Sequence, residues 1–390
     1  MGYMSEYINR KLSAVDLESE LLRLIKQYNE HRKTCCIVYA AAINKSVPEI
    51  ALDQADYYLI HDLLKTVDSP TLDFYIETPG GSGEAAEEIV RCLRAKFEQV
   101  AFVVSGEAKS AGTIMVLSGE PILMTETGSL GPIDAQMKIG RSTVSAYDYM
   151  DWFNNKQAEA ETKGRLNPLD ATMVAQISPG ELIGVHNALS FAKDLVVEWL
   201  VAYKFGNWNF TEIQHHQVSQ EMKRERAEQI AADLCNHTLW RSHGRSIKSN
   251  DLERIGLKIT NIDADPVLSD IVYRIQTVCR LLFSSTTIYK IFATDKEKVF
   301  KSATNIGSNL KVPKGAVPEV AELDITCEKC GSKYKLYAKF IDNPKIDGEL
   351  QNKGAIAFPQ SNKLKCKCGY EIDLSGIRNE IETKIGSKII

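Results

Sequence analysis

Two turns and four cysteines in this chain of 390 residues have the types and spacing to do chemistry. The first turn is Thr78-Pro79-Gly80-Gly81-Ser82-Gly83. Two adjacent glycines after a proline let the backbone approach a ligand closely and aim an N–H outward, which a Cβ would hinder. The second turn, Gly106-Glu107-Ala108-Lys109-Ser110-Ala111-Gly112, sets Ser110 at the start of the apolar stretch 113–117. A serine there stands on a sharp strand-to-helix turn. The N–H groups around it, aligned with the helix dipole, suit a developing oxyanion. Ser110 is therefore a candidate nucleophile; the plainer reading is a serine that caps the helix. The cysteines form two pairs, Cys327/Cys330 and Cys366/Cys368, each followed by glycine. Four sulfurs meet the tetrahedral preference of Zn²⁺, and no histidine or open position accompanies them, so zinc held there would be structural. Reduced bystander cysteines are the alternative.

The elements that must carry these residues follow from periodicity. Residues 35–43 are nearly all apolar, as a buried parallel strand requires. A helix over 52–67, a strand over 72–77, a helix with Ala86, Ile89, Val90, Leu93 and Phe97 on one face, and a strand over 100–105 succeed one another. This βαβ order predicts a parallel sheet with right-handed crossovers. Residues 14–31 read as an amphipathic helix (Leu17, Leu21, Leu24, Ile25, Tyr28), packed on its own domain or offered to a second subunit. Beyond a mixed polar stretch, 138–180, helices are predicted over 181–205, 211–236 and 267–295, with His186 a core histidine of the first. Residues 297–320 are a linker by composition. Strand-like stretches at 333–341 and 370–374 flank the thiol pairs as in a zinc ribbon.

At 44% hydrophobic and 25% charged residues the chain can bury a sizeable core, and its length predicts two or three units. A net charge of −4 gives no basic footprint, so nucleic acid is not indicated as a partner. The opening Met-Gly-Tyr-Met-Ser-Glu has no apolar signal region, and Glu6 occupies the Ser/Thr position of a myristoylation signal. No run of 18 apolar residues is present, which predicts no membrane span. Nine cysteines, an odd number with four in close pairs, favour a reducing compartment, and the expected location is cytoplasmic.

The Pro-Gly-Gly turn followed by Gly-x-Ala-x-Ser-x-Gly resembles the Clp protease/crotonase superfamily. The stretch from Leu123 to Asp134 is similar to the serine dehydrogenase proteinase family, a relative of signal peptide peptidase A, and Ser242-His243-Gly244 with 251–257 resembles the segment that closes these domains. The resemblance spans about residues 33–265. The resemblance implies an α/β fold of Clp protease/crotonase type, a ββα superhelical spiral, to which the cysteine pairs add a small C-terminal β zinc-ribbon module. With the linker read from composition, the expected division is an N-terminal helix (1–32), a serine peptidase domain (33–296), the linker (297–320) and the ribbon (321–390). The resemblance also implies Ser110 as nucleophile, with Gly80, Gly81 and Ala111 at the oxyanion and substrate-binding positions. The Clp histidine would fall near Asp134, where no histidine lies, so a Ser–Lys dyad with Lys163 is expected, or His243 acting as or orienting the base; Lys138 and Lys156 are further candidates, and Lys109, next to Ser110, should point away. The reading is a serine endopeptidase acting through an acyl-enzyme on a peptide or protein, assembled as a homo-oligomer, with the ribbon binding a regulatory protein. A crotonase-type acyl-CoA enzyme and a non-catalytic scaffold are the rivals.

Overall fold

The structure is a computed structural model describing residues 2–139, 142–211, 215–242, 244–303, 319–327, 329–374, 377–378, 381–382 and 388–390. Two compact units result. One comprises Leu21–Cys279 and Tyr289–Phe300; the other comprises Met1–Glu20, Arg280–Ile288 and Lys301–Ile390.

The larger unit is built on a seven-stranded sheet. Its order is Lys298–Ser302, Ile288–Ala293, Cys35–Ala41, Thr71–Glu77, Gln99–Val104, Ile122–Met124, Thr260–Asn261. The five strands from Cys35–Ala41 onward are parallel, and Ile288–Ala293 runs antiparallel to Cys35–Ala41. Register places Ile37, Phe74, Phe102 and Ile122 side by side, all buried, as helix-covered parallel strands require. Beyond the carboxyl ends of these strands a second layer of short pairings forms: Leu52 with Gly81, Thr78 with Ala108, Glu107–Ala108 with Ser129–Leu130, and Leu130 with Ile247. Each long strand thus continues into a short one before its helix, Gly83–Lys96 or Ala111–Leu117. This is the ββα architecture of the Clp protease-like α/β fold.

Four expectations are corrected. The helix predicted over 267–295 ends at Ser285, and Ile288–Ala293 is a fully buried strand. Ser284 and Ser285 turn their hydroxyls onto the Leu281 carbonyl, and Thr286 Oγ1 accepts from Ile288 N, so side chains take over the helix backbone's partners there. The helix predicted from 211 starts at Gln220, where Ser219 Oγ accepts from Met222 N. His186 is exposed, because the first turns of Pro179–Trp199 bury only Val185. Part of the stretch read as a linker, Lys298–Ser302, is the sheet's edge strand; 304–318 lie outside the described residues. The helix Ala14–Arg32 buries Leu17, Leu21, Leu24, Ile25 and Tyr28. No helix among the described residues is long and apolar enough to cross a membrane.

The smaller unit pairs Val320–Thr326 antiparallel with Lys333–Lys339, adds Ile356–Ala357, and carries a hairpin of Lys363–Lys365 with Glu371–Asp373. Leu336, Ala338, Phe340, Phe358, Leu364 and Leu374 form its core.

Candidate active site and candidate metal centre

The two turns meet. Thr78 N donates to Glu107 O (2.8 Å) and Lys109 N to Thr78 O (3.0 Å), which lays the Gly80-Gly81 turn against Ser110. Gly80 (φ +96°) and Gly81 (φ +154°) take conformations that side chains rarely adopt. A Cβ on Gly81 would lie 2.3 Å from Leu52 O.

Ser110 itself holds φ +49°, ψ −117°, and its side chain caps nothing. That backbone is costly for a residue with a Cβ and persists where surrounding structure imposes it, often at functional sites. The missing cap hydrogen bond is against the capping reading. Gly80 N donates to Thr78 Oγ1 (3.2 Å), Gly80 O accepts from Leu52 N (2.8 Å) and Ser82 N donates to Leu52 O (2.9 Å). The N–H groups of Gly81 and Ala111 have no hydrogen-bond partner among the described residues. Two such donors beside a serine hydroxyl can hold the oxyanion of an acyl-transfer intermediate.

Ser110 opens into a cleft of about 520 Å³. Its apolar wall comes from Ile114, Ile133, Ala188, Phe191 and Ala192; the Gly80-Gly81 turn, Asp134 and Gln136 complete it. Periodicity did not point to the helix Pro179–Trp199 as a wall of the site; the small residues at 188 and 192 beside Phe191 are the signal that marks that face. Asp134 is buried, accepts from Ser145 Oγ (2.9 Å) and is bonded by Gln136 Nε2.

Of the expected bases, Lys163 and Lys156 do not line the cleft. No lysine or histidine lines the cleft among the described residues. Lys163 ends the helix Ala146–Lys163, whose start is tied to the cleft rim by Ala146 N to Ala135 O (2.8 Å). Seventeen steps of 1.5 Å carry it about 26 Å along the axis. Its side chain is 66% exposed and pairs with Glu159 (2.9 Å). Lys156 sits between Asp170 (2.7 Å) and Glu159 (3.1 Å), which raise its pKa and keep it charged. Lys109 is buried, and its ammonium donates to Leu130 O (3.1 Å), Arg245 O (3.2 Å) and Ser246 Oγ (3.0 Å), tying the closing segment down; burial lowers its pKa. His243 and the side chain of Lys138 lie outside the described residues.

Residues 49–163 match the ClpP-like SDH-type serine proteinases. The matched segment holds Gly80, Gly81, Ser110, Ala111 and Asp134 and ends at Lys163. Uncharacterized protein MJ0137 of Methanocaldococcus jannaschii is 39% identical over 66 residues, 17% of this chain and 23% of that protein. The chain therefore spans under a quarter of this curated relative. A lysine-to-alanine mutant of the 1510-N membrane-bound stomatin-specific protease, solved with a substrate peptide, is 14% identical with a TM-score of 0.33, covering 56% of this chain and 74% of that one. A ClpP1 mutant from Listeria monocytogenes is 13% identical with a TM-score of 0.32, covering 63% and 97%.

In the smaller unit, the thiol sulfurs of Cys327, Cys330, Cys366 and Cys368 lie within 4.8 Å of one another. Two glycine-closed turns present them: Gly331 N donates to Cys327 O (2.8 Å) and Gly369 N to Cys366 O (2.9 Å). The Sγ···Sγ distances Cys327–Cys368 (3.8 Å) and Cys330–Cys366 (3.5 Å) fit the tetrahedral edge of about 3.8 Å that Zn–S bonds of about 2.3 Å require. The donor set could hold a metal ion. The short Cys366-Lys367-Cys368 spacer does not prevent it. Tyr334 adds support from outside the ligand set: its hydroxyl donates to Cys366 Sγ (3.1 Å) and accepts from Lys367 N (3.0 Å).

Proposed function

We propose that the chain is a serine endopeptidase that cleaves peptide bonds through an acyl-enzyme on Ser110. Ser110 Oγ attacks the peptide carbonyl while its proton passes to a base. The Gly81 and Ala111 N–H groups hold the oxyanion, and the base returns the proton to the leaving amine. Water, activated by the same base, then frees the acyl group. The observation that carries this reading is Ser110 itself, held at φ +49° beside two backbone donors that have no partner among the described residues.

The wall of Ile114, Ile133, Ala188, Phe191 and Ala192 suits an apolar side chain on the residue whose carbonyl is attacked. In this proposal Lys163, at the exposed end of its helix, serves the Ser110 of a second copy rather than its own, and the active form is a homo-oligomer. The four cysteines hold a structural Zn²⁺, and the ribbon around it is a docking module for a regulatory protein. The expected location is cytoplasmic. Cleavage of a peptide library by the assembled protein, and its loss in Ser110→Ala, tests the reading; equal cleavage by both proteins would remove Ser110 from the mechanism.

A further inference from the structure

Asp56 and Lys290 form an ion pair of 2.6 Å with both side chains fully buried, at 0% exposure. Charges are seldom buried without partners, and this pair has several. Asp56 Oδ2 also accepts from Tyr39 OH (3.0 Å) and Asp53 N (3.2 Å), while Lys290 Nζ donates a second bond to Ala51 O (2.7 Å).

A route of hydrogen bonds leads from this pair to the glycine turn. The Lys290 bond fixes Ala51, and the next residue, Leu52, grips both sides of Gly81: Leu52 N donates to Gly80 O and Leu52 O accepts from Ser82 N. On the other side of the turn, Gly80 N donates to Thr78 Oγ1 (3.2 Å). Leu52 thus occupies the neighbouring Gly80 carbonyl and Ser82 N–H, while Gly81, whose own N–H has no partner among the described residues, lines the cleft. We infer that Asp56 and Lys290 are positioning residues that fix the Gly81 N–H beside Ser110, through Ala51 and Leu52. The inference rests on the acyl-transfer reading of Ser110 for its kinetic consequence, but not for its structural one. Lys290 reaches this place because Ile288–Ala293 runs antiparallel to Cys35–Ala41.

The test uses the full-length double variant Asp56→Asn/Lys290→Met, which removes both charges together and leaves neither buried alone. The variant should stay folded by circular dichroism, while amide exchange at Leu52 and Ser82 quickens at least tenfold. Its kcat on an apolar peptide should fall about 10- to 100-fold with KM little changed, the signature of a lost transition-state donor. A folded double variant with wild-type exchange at Leu52 and Ser82 would overturn the inference. If wild type shows no peptidase activity, the acyl-transfer reading fails and the exchange result alone decides the positioning role. Should the double variant not fold, wild type still decides. Its Leu52 and Ser82 amides should exchange as slowly as those of Ile37 and Phe74; exchange at loop rates would contradict the brace.

Discussion

Gly80 and Ser110 stand so close that a Cβ built on the glycine would lie 2.6 Å from the Cβ of the serine. The turn after one strand and the turn after the next are thus in backbone contact, and that contact sets the serine beside the glycine N–H donors. Neither turn makes a site by itself.

Gly80→Ala should therefore disturb both stability and chemistry. The positive φ alone costs about 1–2 kcal/mol for alanine, and the methyl would also press on Lys109 O, at 2.7 Å. Thermal unfolding should show a clear loss, and Ser110 acylation should slow at least tenfold. Gly180→Ala is the control. Its nearest neighbour is 4.0 Å away in a helix, so the variant should be as stable as wild type or slightly more so.

If Lys163 acts across a subunit boundary, Lys163→Ala should lose cleavage about as fully as Ser110→Ala. Mixing the two inactive proteins under exchange conditions should restore part of it, because each then supplies what the other lacks. Light scattering should exceed the 43.5 kDa monomer several-fold. No restored activity in verified mixed oligomers would assign the base to the same chain, with His243 and Lys138 the next residues to mutate.

The metal centre is tested by stoichiometry. About one zinc per chain is expected, lost in Cys327→Ser/Cys366→Ser while the larger unit keeps its unfolding transition. Tyr334→Phe should keep the metal but release it faster to a chelator, since the thiolate of Cys366 loses its phenol donor. Full zinc retention in the double cysteine variant would remove the site.

Acid stability offers an independent check on the larger unit. Asp265 lies 2.7 Å from His31 Nε2 and accepts from Leu268 and Val267 N–H groups at the start of Pro266–Ser285. The His31 contact first, then the Leu268 N–H, holds its pKa below 3.8. A carboxylate depressed on folding contributes stability above its unfolded value, lost as pH falls through the folded one. Asp265→Asn should thus melt below wild type at neutral pH, and the gap should close as pH drops below 3.8. A gap independent of pH would show that charge is not involved.

Much of this was legible before the structure. Ser110 and the paired glycines stand out because few residues tolerate such turns, and the cysteine pairs because thiols at that spacing have few other uses. The strand 288–293 was not legible. Its apolar run continues the helical pattern from Val267, and only the break at Ser284-Ser285-Thr286-Thr287 marks the change. Missing it hid Lys290. Lys163 falls at the expected place in the sequence, yet a long exposed helix carries it away from Ser110, and chain spacing does not encode helix direction. Asp134 was visible only as the place where a histidine was missing; its bonds to Ser145 and Gln136 depend on the chain's path after it.

The most direct measurement is peptide mapping of the assembled protein after reaction with a fluorophosphonate. One adduct is expected, on the peptide containing Ser110, formed by wild type and absent from Ser110→Ala. No adduct on wild type, or one that persists in Ser110→Ala, would contradict it.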